Sequence, residues 1–128
     1  MIVLDTHILI WWVNQSDRLR KGTLERIENE ADSLAINAIS LWEIAKLVQV
    51  GRLELSMPVE DWIEQALAYP KVMVVPLSPL IAVESTRLPP PFHKNLADEL
   101  IVASARVLSC PLLTYDGKIL NYPHVLLA

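Results

Sequence analysis

The chain has 128 residues, 52% of them hydrophobic, with a mean hydropathy of +0.32 and a formal net charge of −4. That length predicts one domain spanning residues 1–128, large enough to bury a core without disulfides or a structural metal. The negative balance excludes a protein that grips nucleic acid through bulk positive charge. Asp5, Asp98 and Arg106 interrupt every apolar run before the roughly 18 residues of a membrane span. Without a basic leader, and with Cys110 alone and read as a small buried hydrophobe, a soluble cytoplasmic protein is expected.

In chain order, Ile2 to Leu4 reads as a buried strand, and Asp5 is placed to cap a helix through His7, Leu9 and Trp12. DRLRKGTLERIENEA sets polar residues around Leu19, Leu24 and Ile27, the pattern of an amphipathic surface helix. SLAI reads as a second strand. NAISLWEIAKLVQVGRL repeats Ile39, Trp42, Ala45 and Val48 at helical spacing, with Gly51 as the stop. Pro58 opens a helix through Trp62, Ile63 and Leu67 that Pro70 ends before the strand KVMVVPL. SPLIAVESTRL is a further helix, Pro89 to Pro91 a stiff connection, and NLADELIVASARVL a long helix. PLLTYD is a strand and its exit, and VLL near the end is a last short strand. Strands alternating with helices predict an α/β domain with a mostly parallel sheet sandwiched between helices. Ligands of such sheets bind beyond the carboxyl ends of the strands, where strand order reverses. The excess of apolar residues, with four Trp, suggests a partner surface as well as a core.

Four acids stand at segment ends, and each also has a local reading. Asp5 can cap the first helix. Glu43 follows Ser40 in the S-x-x-E pattern of a capping box. Asp98 can complement the dipole of a helix capped by Asn95. Asp116 precedes Gly117, a common turn pair. Taken together, with hydroxyls nearby at Thr6, Ser40 and Thr114, they favour a metal site: clustered carboxylates repel unless a cation balances them. Oxygen-only ligands select hard ions such as Mg²⁺ or Mn²⁺. His7 is expected to serve helix packing. His93 is expected to be an exposed loop residue, with phosphate contact or proton carriage as the alternative.

LDTHILIWW, ISLWEIAKLVQVGRLEL and ADELIVASARVLSCPLLTYD together resemble the PIN-domain ribonucleases, specifically the VapC-type toxins of bacterial toxin–antitoxin pairs. The resemblance spans nearly the whole chain and maps the family's acids onto Asp5, Glu43, Asp98 and Asp116. It implies a PIN-like fold and metal-dependent hydrolysis of RNA phosphodiester bonds, with Asp5, Asp98 and Asp116 holding Mg²⁺ or Mn²⁺. Glu43 would complete the cluster as an outer ligand or by positioning water, and Thr6 and Thr114 would orient the carboxylates. It also implies a small cognate antitoxin, and a homodimer formed through the Trp-bearing helical surfaces. Where related chains often read Asp-Pro-x-Asp-Arg, this one reads Asn95, Leu96, Ala97, Asp98, Glu99, which alters the charge around the third acid. Two rivals are a phosphoryl-transfer or receiver-type domain, which lacks its expected D-x-D or D-D pair here, and a non-catalytic module that keeps the PIN fold.

Overall fold

The computed structural model describes all 128 residues. Four strands, β1 (Ile2–Leu4), β2 (Leu34–Asn37), β3 (Val72–Val75) and β4 (Leu112–Leu113), form one sheet in the order β3-β2-β1-β4. All three pairings are parallel, with Ile2 opposite Leu34, Val3 opposite Leu112 and Ala35 opposite Met73. Seven helices make the connections: α1 (Thr6–Val13), α2 (Lys21–Glu28), α3 (Ala38–Gln49), α4 (Val59–Leu67), α5 (Pro79–Ser85), α6 (Leu96–Leu108) and α7 (Gly117–Leu120). None is long and apolar enough to cross a membrane.

Alternation along the strands divides the core into two layers. Ile2, Leu4, Leu34 and Ile36 face one side and pack with Ile8, Leu9, Ile44 and Trp62. Val3, Ala35, Val75 and Leu112 face the other and pack with Leu100 to Ala103 of α6, Ile81 of α5 and Ile119 of α7. The sheet is thus covered on both faces, which is why β1 and β2 are wholly buried and read as continuous apolar runs. A polar tie crosses this core: the buried Asn37 accepts the Ile39 N–H at 2.8 Å to cap α3, and its Nδ2 donates to Ser104 Oγ on α6 at 2.6 Å.

Two sequence expectations change at the end of the chain. The expected last strand, VLL, is reduced to a single bridge between Leu112 and Leu127, because β4 is only two residues long and offers one rung. The Asp-Gly pair opens α7, a single helical turn that its short sequence hides from any periodicity reading.

Candidate active site

Strand order reverses between β1 and β4, since β1 lies next to β2 on one side and β4 on the other. Asp5 leaves the end of β1 in an extended conformation, with φ −67° and ψ 156°, and starts α1. One of its oxygens accepts the Thr6 N–H at 2.7 Å and the other accepts the Thr114 hydroxyl at 2.6 Å. Thr114, just past β4, also accepts the Asp116 N–H at 3.0 Å, so one hydroxyl joins the first acid to the segment bearing the last. Asp116 in turn caps α7 by accepting the Lys118 N–H at 2.8 Å.

Glu43 is not in a capping box. Asn37 caps α3, so helical residues begin at Ala38 and Ser40 already lies in the first turn, where it cannot act as the cap. Ser40 and Glu43 instead converge on Thr6 of α1: the Thr6 hydroxyl is 2.8 Å from Ser40 Oγ and 2.5 Å from Glu43 Oε1. Thr6 therefore couples the two helices that follow β1 and β2.

Asn95 caps α6 as expected, accepting the Asp98 N–H at 3.0 Å. The Asp98 carboxylate meets His93 Nε2 at 2.6 Å, and the His93 ring stacks on Phe92 with centroids 4.4 Å apart. His93 is thus a half-buried partner of an acid, not an exposed loop residue. His7 packs along α1 as expected, its ring 5.8 Å from that of Trp11, and it is exposed to solvent near Asp5 and Glu43.

Burial holds the Asp5 carboxyl above the ordinary carboxylate range, reinforced by the charge of Asp98 and opposed by the Thr114 and Thr6 hydrogen bonds. Glu43 is raised for the same first reason, opposed by the Thr6 bond and reinforced by Asp5 and then Asp98. Asp5, Glu43 and Asp98 therefore share one electrostatic neighbourhood, and Asp116 is tied to it through Thr114. No Lys or Arg forms an ion pair with any of the four. No three of the chain's His, Cys, Asp or Glu side chains already stand in an arrangement that encloses an ion. The donor chemistry nevertheless suits a hard divalent cation: it is oxygen only, partly buried and without a paired Lys or Arg.

A groove of about 510 Å³ is bounded by Trp11 and Trp12 of α1, Leu19, Leu24 of α2 and Tyr69 beyond α4, with Gln15, Ser16 and Glu28 as its polar lining. Trp12 packs on Tyr69 with ring centroids 5.0 Å apart, and Trp11 packs on Tyr115 at 5.6 Å. The Tyr115 hydroxyl bonds Thr23 Oγ1 at 2.6 Å and accepts the Arg20 N–H at 3.0 Å, while the Arg20 guanidinium lies 4.4 Å over its ring. Tyr115, between Thr114 and Asp116, connects the groove to the acids.

A family model described as the PIN domain matches residues 2–125. The chain is 34% identical over 123 residues to Ribonuclease VapC22 of Mycobacterium tuberculosis, covering 96% of this chain and 92% of that protein. Its fold is similar to that in the crystal structure of VapBC2 from Rickettsia felis bound to a DNA fragment from the promoter, with a TM-score of 0.72, 20% identity and coverage of 100% and 98% of the two chains. A toxin–antitoxin complex from Klebsiella pneumoniae aligns with a TM-score of 0.70 and 22% identity over 98% and 96% of the two chains.

Proposed function

The chain belongs to the PIN domain family, and from that premise we propose that it is an endoribonuclease toxin, dependent on Mg²⁺ or Mn²⁺ and restrained by a small cognate antitoxin. The observation that supports this most directly is the shared neighbourhood of Asp5, Glu43 and Asp98, where burial and then the charges of neighbouring acids raise two carboxyl groups with no Lys or Arg paired to them. Asp5, Asp98 and Asp116 would hold the divalent ion, which supplies, when bound, the positive charge and Lewis acidity that phosphodiester hydrolysis needs. Thr6 and Thr114 fix the orientation of Asp5 through its two oxygens. Glu43, anchored through Oε1 to Thr6, keeps Oε2 to position a water or take its proton. RNA is drawn to this acidic protein by the ion and by cations around the crevice, among them Lys46, Lys94 and Lys118.

The antitoxin reading has a physical counterpart in the mostly apolar Trp11–Trp12–Tyr69 groove, whose Trp11 packs on Tyr115, the residue between Thr114 and Asp116. A short amphipathic segment of the partner would fill it, with a basic side chain reaching the carboxylates. A homodimer is proposed as well, with the unpaired sheet edge as a contact surface beside the Trp-bearing helices, where Trp42 is 57% exposed. Trp62 is core at 2% exposure, whereas Met73, Val74, Leu77, Leu80 and Val83 expose apolar area along the unpaired edge of β3 and on α5.

The deciding experiment is cleavage of single-stranded RNA with and without Mn²⁺, run beside calorimetric titration of the metal. Metal-dependent cleavage upholds the reading. Metal binding without cleavage would leave a non-catalytic PIN-fold module, and absence of binding at millimolar metal would overturn the site. Co-expression with the adjacent reading frame tests the antitoxin: growth arrest should be relieved and a complex recovered.

A further inference from the structure

A second hollow, of about 420 Å³, has walls that include Pro91, Phe92, His93, Lys118, Asn121 and Tyr122. The acidic site shares two of its walls. His93 is hydrogen-bonded to Asp98 at 2.6 Å, and the Lys118 N–H is hydrogen-bonded to Asp116 at 2.8 Å. The aromatic side is rigid. Phe92 and His93 lie at an interplanar angle of 30°, Phe92 meets Tyr122 edge-on at 4.8 Å, and the Tyr122 hydroxyl is anchored on the Pro89 carbonyl at 2.7 Å. The polar side is uncommitted: Lys118 and Asn121 engage only their backbone N–H groups and both side chains are exposed.

We propose that this hollow is a nucleobase subsite, seating one unstacked base of single-stranded RNA beside the phosphate presented to Asp98 and Asp116. This inference rests on the ribonuclease reading above. Each component matches what single-stranded RNA offers. Ring faces accept a base by stacking, the Asn121 carboxamide has both a donor and an acceptor for a base edge, and Lys118 supplies a point charge for the adjoining phosphate. Stacking tolerates any base, so the selection falls to Asn121, which makes this residue a determinant of where the chain cuts. His93 acts here as a wall, fixed by its bond to Asp98. The subsite also accounts for a positive side chain kept on α7 with no acidic partner, at the edge of a cluster whose net charge repels the substrate.

The test measures kcat/KM with Mn²⁺ for a panel of short oligoribonucleotides that differ at one position, together with binding of the same oligonucleotides in EDTA, where no cleavage intervenes. Wild type should prefer one base at one position. Asn121→Ala should lower that preference about tenfold while cleavage of the disfavoured substrates changes little. Lys118→Ala should weaken binding of all sequences alike and reduce the slope of log affinity against log salt by about 0.7. Phe92→Leu should weaken binding of every sequence while leaving the base preference in place, and Asn121→Ala guards the test should the Phe92 variant fold poorly. An unchanged base preference in Asn121→Ala would overturn the subsite while leaving the ribonuclease reading intact. A wild-type protein that cuts without base preference would do the same, and one that cuts no RNA would remove both.

Discussion

A single threonine hydroxyl organises much of the chemistry. Thr6 has one proton to share between Ser40 and Glu43, so the donation to Glu43 leaves Ser40 to donate to Thr6. Amide substitutions separate the capping role of the acids from the metal role. In Asp5→Asn the new amide can still accept the Thr6 N–H and can donate to Thr114, so the fold should persist. In both Asp5→Asn and Glu43→Gln, removing a buried charge beside other acids should leave the metal-free Tm equal or higher at pH 7. Cleavage should fall on the order of a hundredfold or more, and the rise in Tm on adding Mn²⁺ should be lost for Asp5→Asn. Four fully active amide variants, Asp98→Asn and Asp116→Asn included, would return the acids to a structural role. Thr114→Val, which removes both the donor to Asp5 and the acceptor for the Asp116 N–H, should cost roughly 10- to 100-fold in activity. The pH dependence carries two opposite signs. The raised carboxyls of Asp5 and Glu43 bind protons more tightly in the native state, so their contribution favours folding below the ordinary carboxylate range and is lost as pH rises through the shifted values. Glu30 is the reverse: Arg26, then the Met1 amine, lower it from 4.5 to about 2, so its contribution is complete above pH 4.5 and disappears as pH falls toward 2. Glu30→Gln should therefore lower Tm by a few degrees at neutral pH, with the difference closing near pH 2 in a series of thermal melts.

Among the elements, the strands and long helices were legible because each carries an unmixed pattern. The short buried apolar runs of β1 and β2, the helical spacing in α3 and α6, and the Pro58 and Pro70 boundaries of α4 all reappear in the structure. What the pattern could not supply was the third dimension of short polar segments. Ser40–Glu43 satisfied the spacing of a capping box, yet Asn37 caps the helix three residues earlier. The cue was present in an Asn directly between the strand LAIN and the helix, but its second bond, to Ser104, depends on a contact 67 residues away. Likewise the positions of Asp5, Asp98 and Asp116 at strand ends and helix starts could be read from sequence, while Glu43 lies a turn further into α3 than its capping-box reading put it, and the His93–Asp98 and Thr6–Glu43 bonds required the fold. The Trp residues show the same limit, since composition counts four and cannot sort them. Trp62 is 2% exposed and donates to Asn14 Oδ1 at 2.8 Å, whereas Trp42 is 57% exposed. Trp62→Ala should cost about 3–5 kcal/mol of unfolding free energy, and Trp42→Ala no more than about 0.5 kcal/mol, both measurable by urea titration.

For the molecule as a whole, three surfaces with different chemistry surround one sheet: an acidic crevice, an apolar groove and an apolar edge. If the edge is the dimer contact, Leu80→Glu on α5 should convert the dimer to a monomer by light scattering at micromolar concentration while leaving metal binding unchanged. A wild-type monomer would show that this edge serves another partner. The parallel topology also separates these surfaces along the chain. Every residue bounding the Trp11–Trp12 groove lies at or before Tyr69. The crevice is incomplete until Asp98, Thr114 and Asp116 are present, and the Thr114 bond to Asp5 spans 109 positions. During synthesis on the ribosome, therefore, all the groove residues emerge before the acids that finish the cutting site. On the proposed reading, a chain still being made presents the surface offered to the antitoxin well before the acidic site is complete.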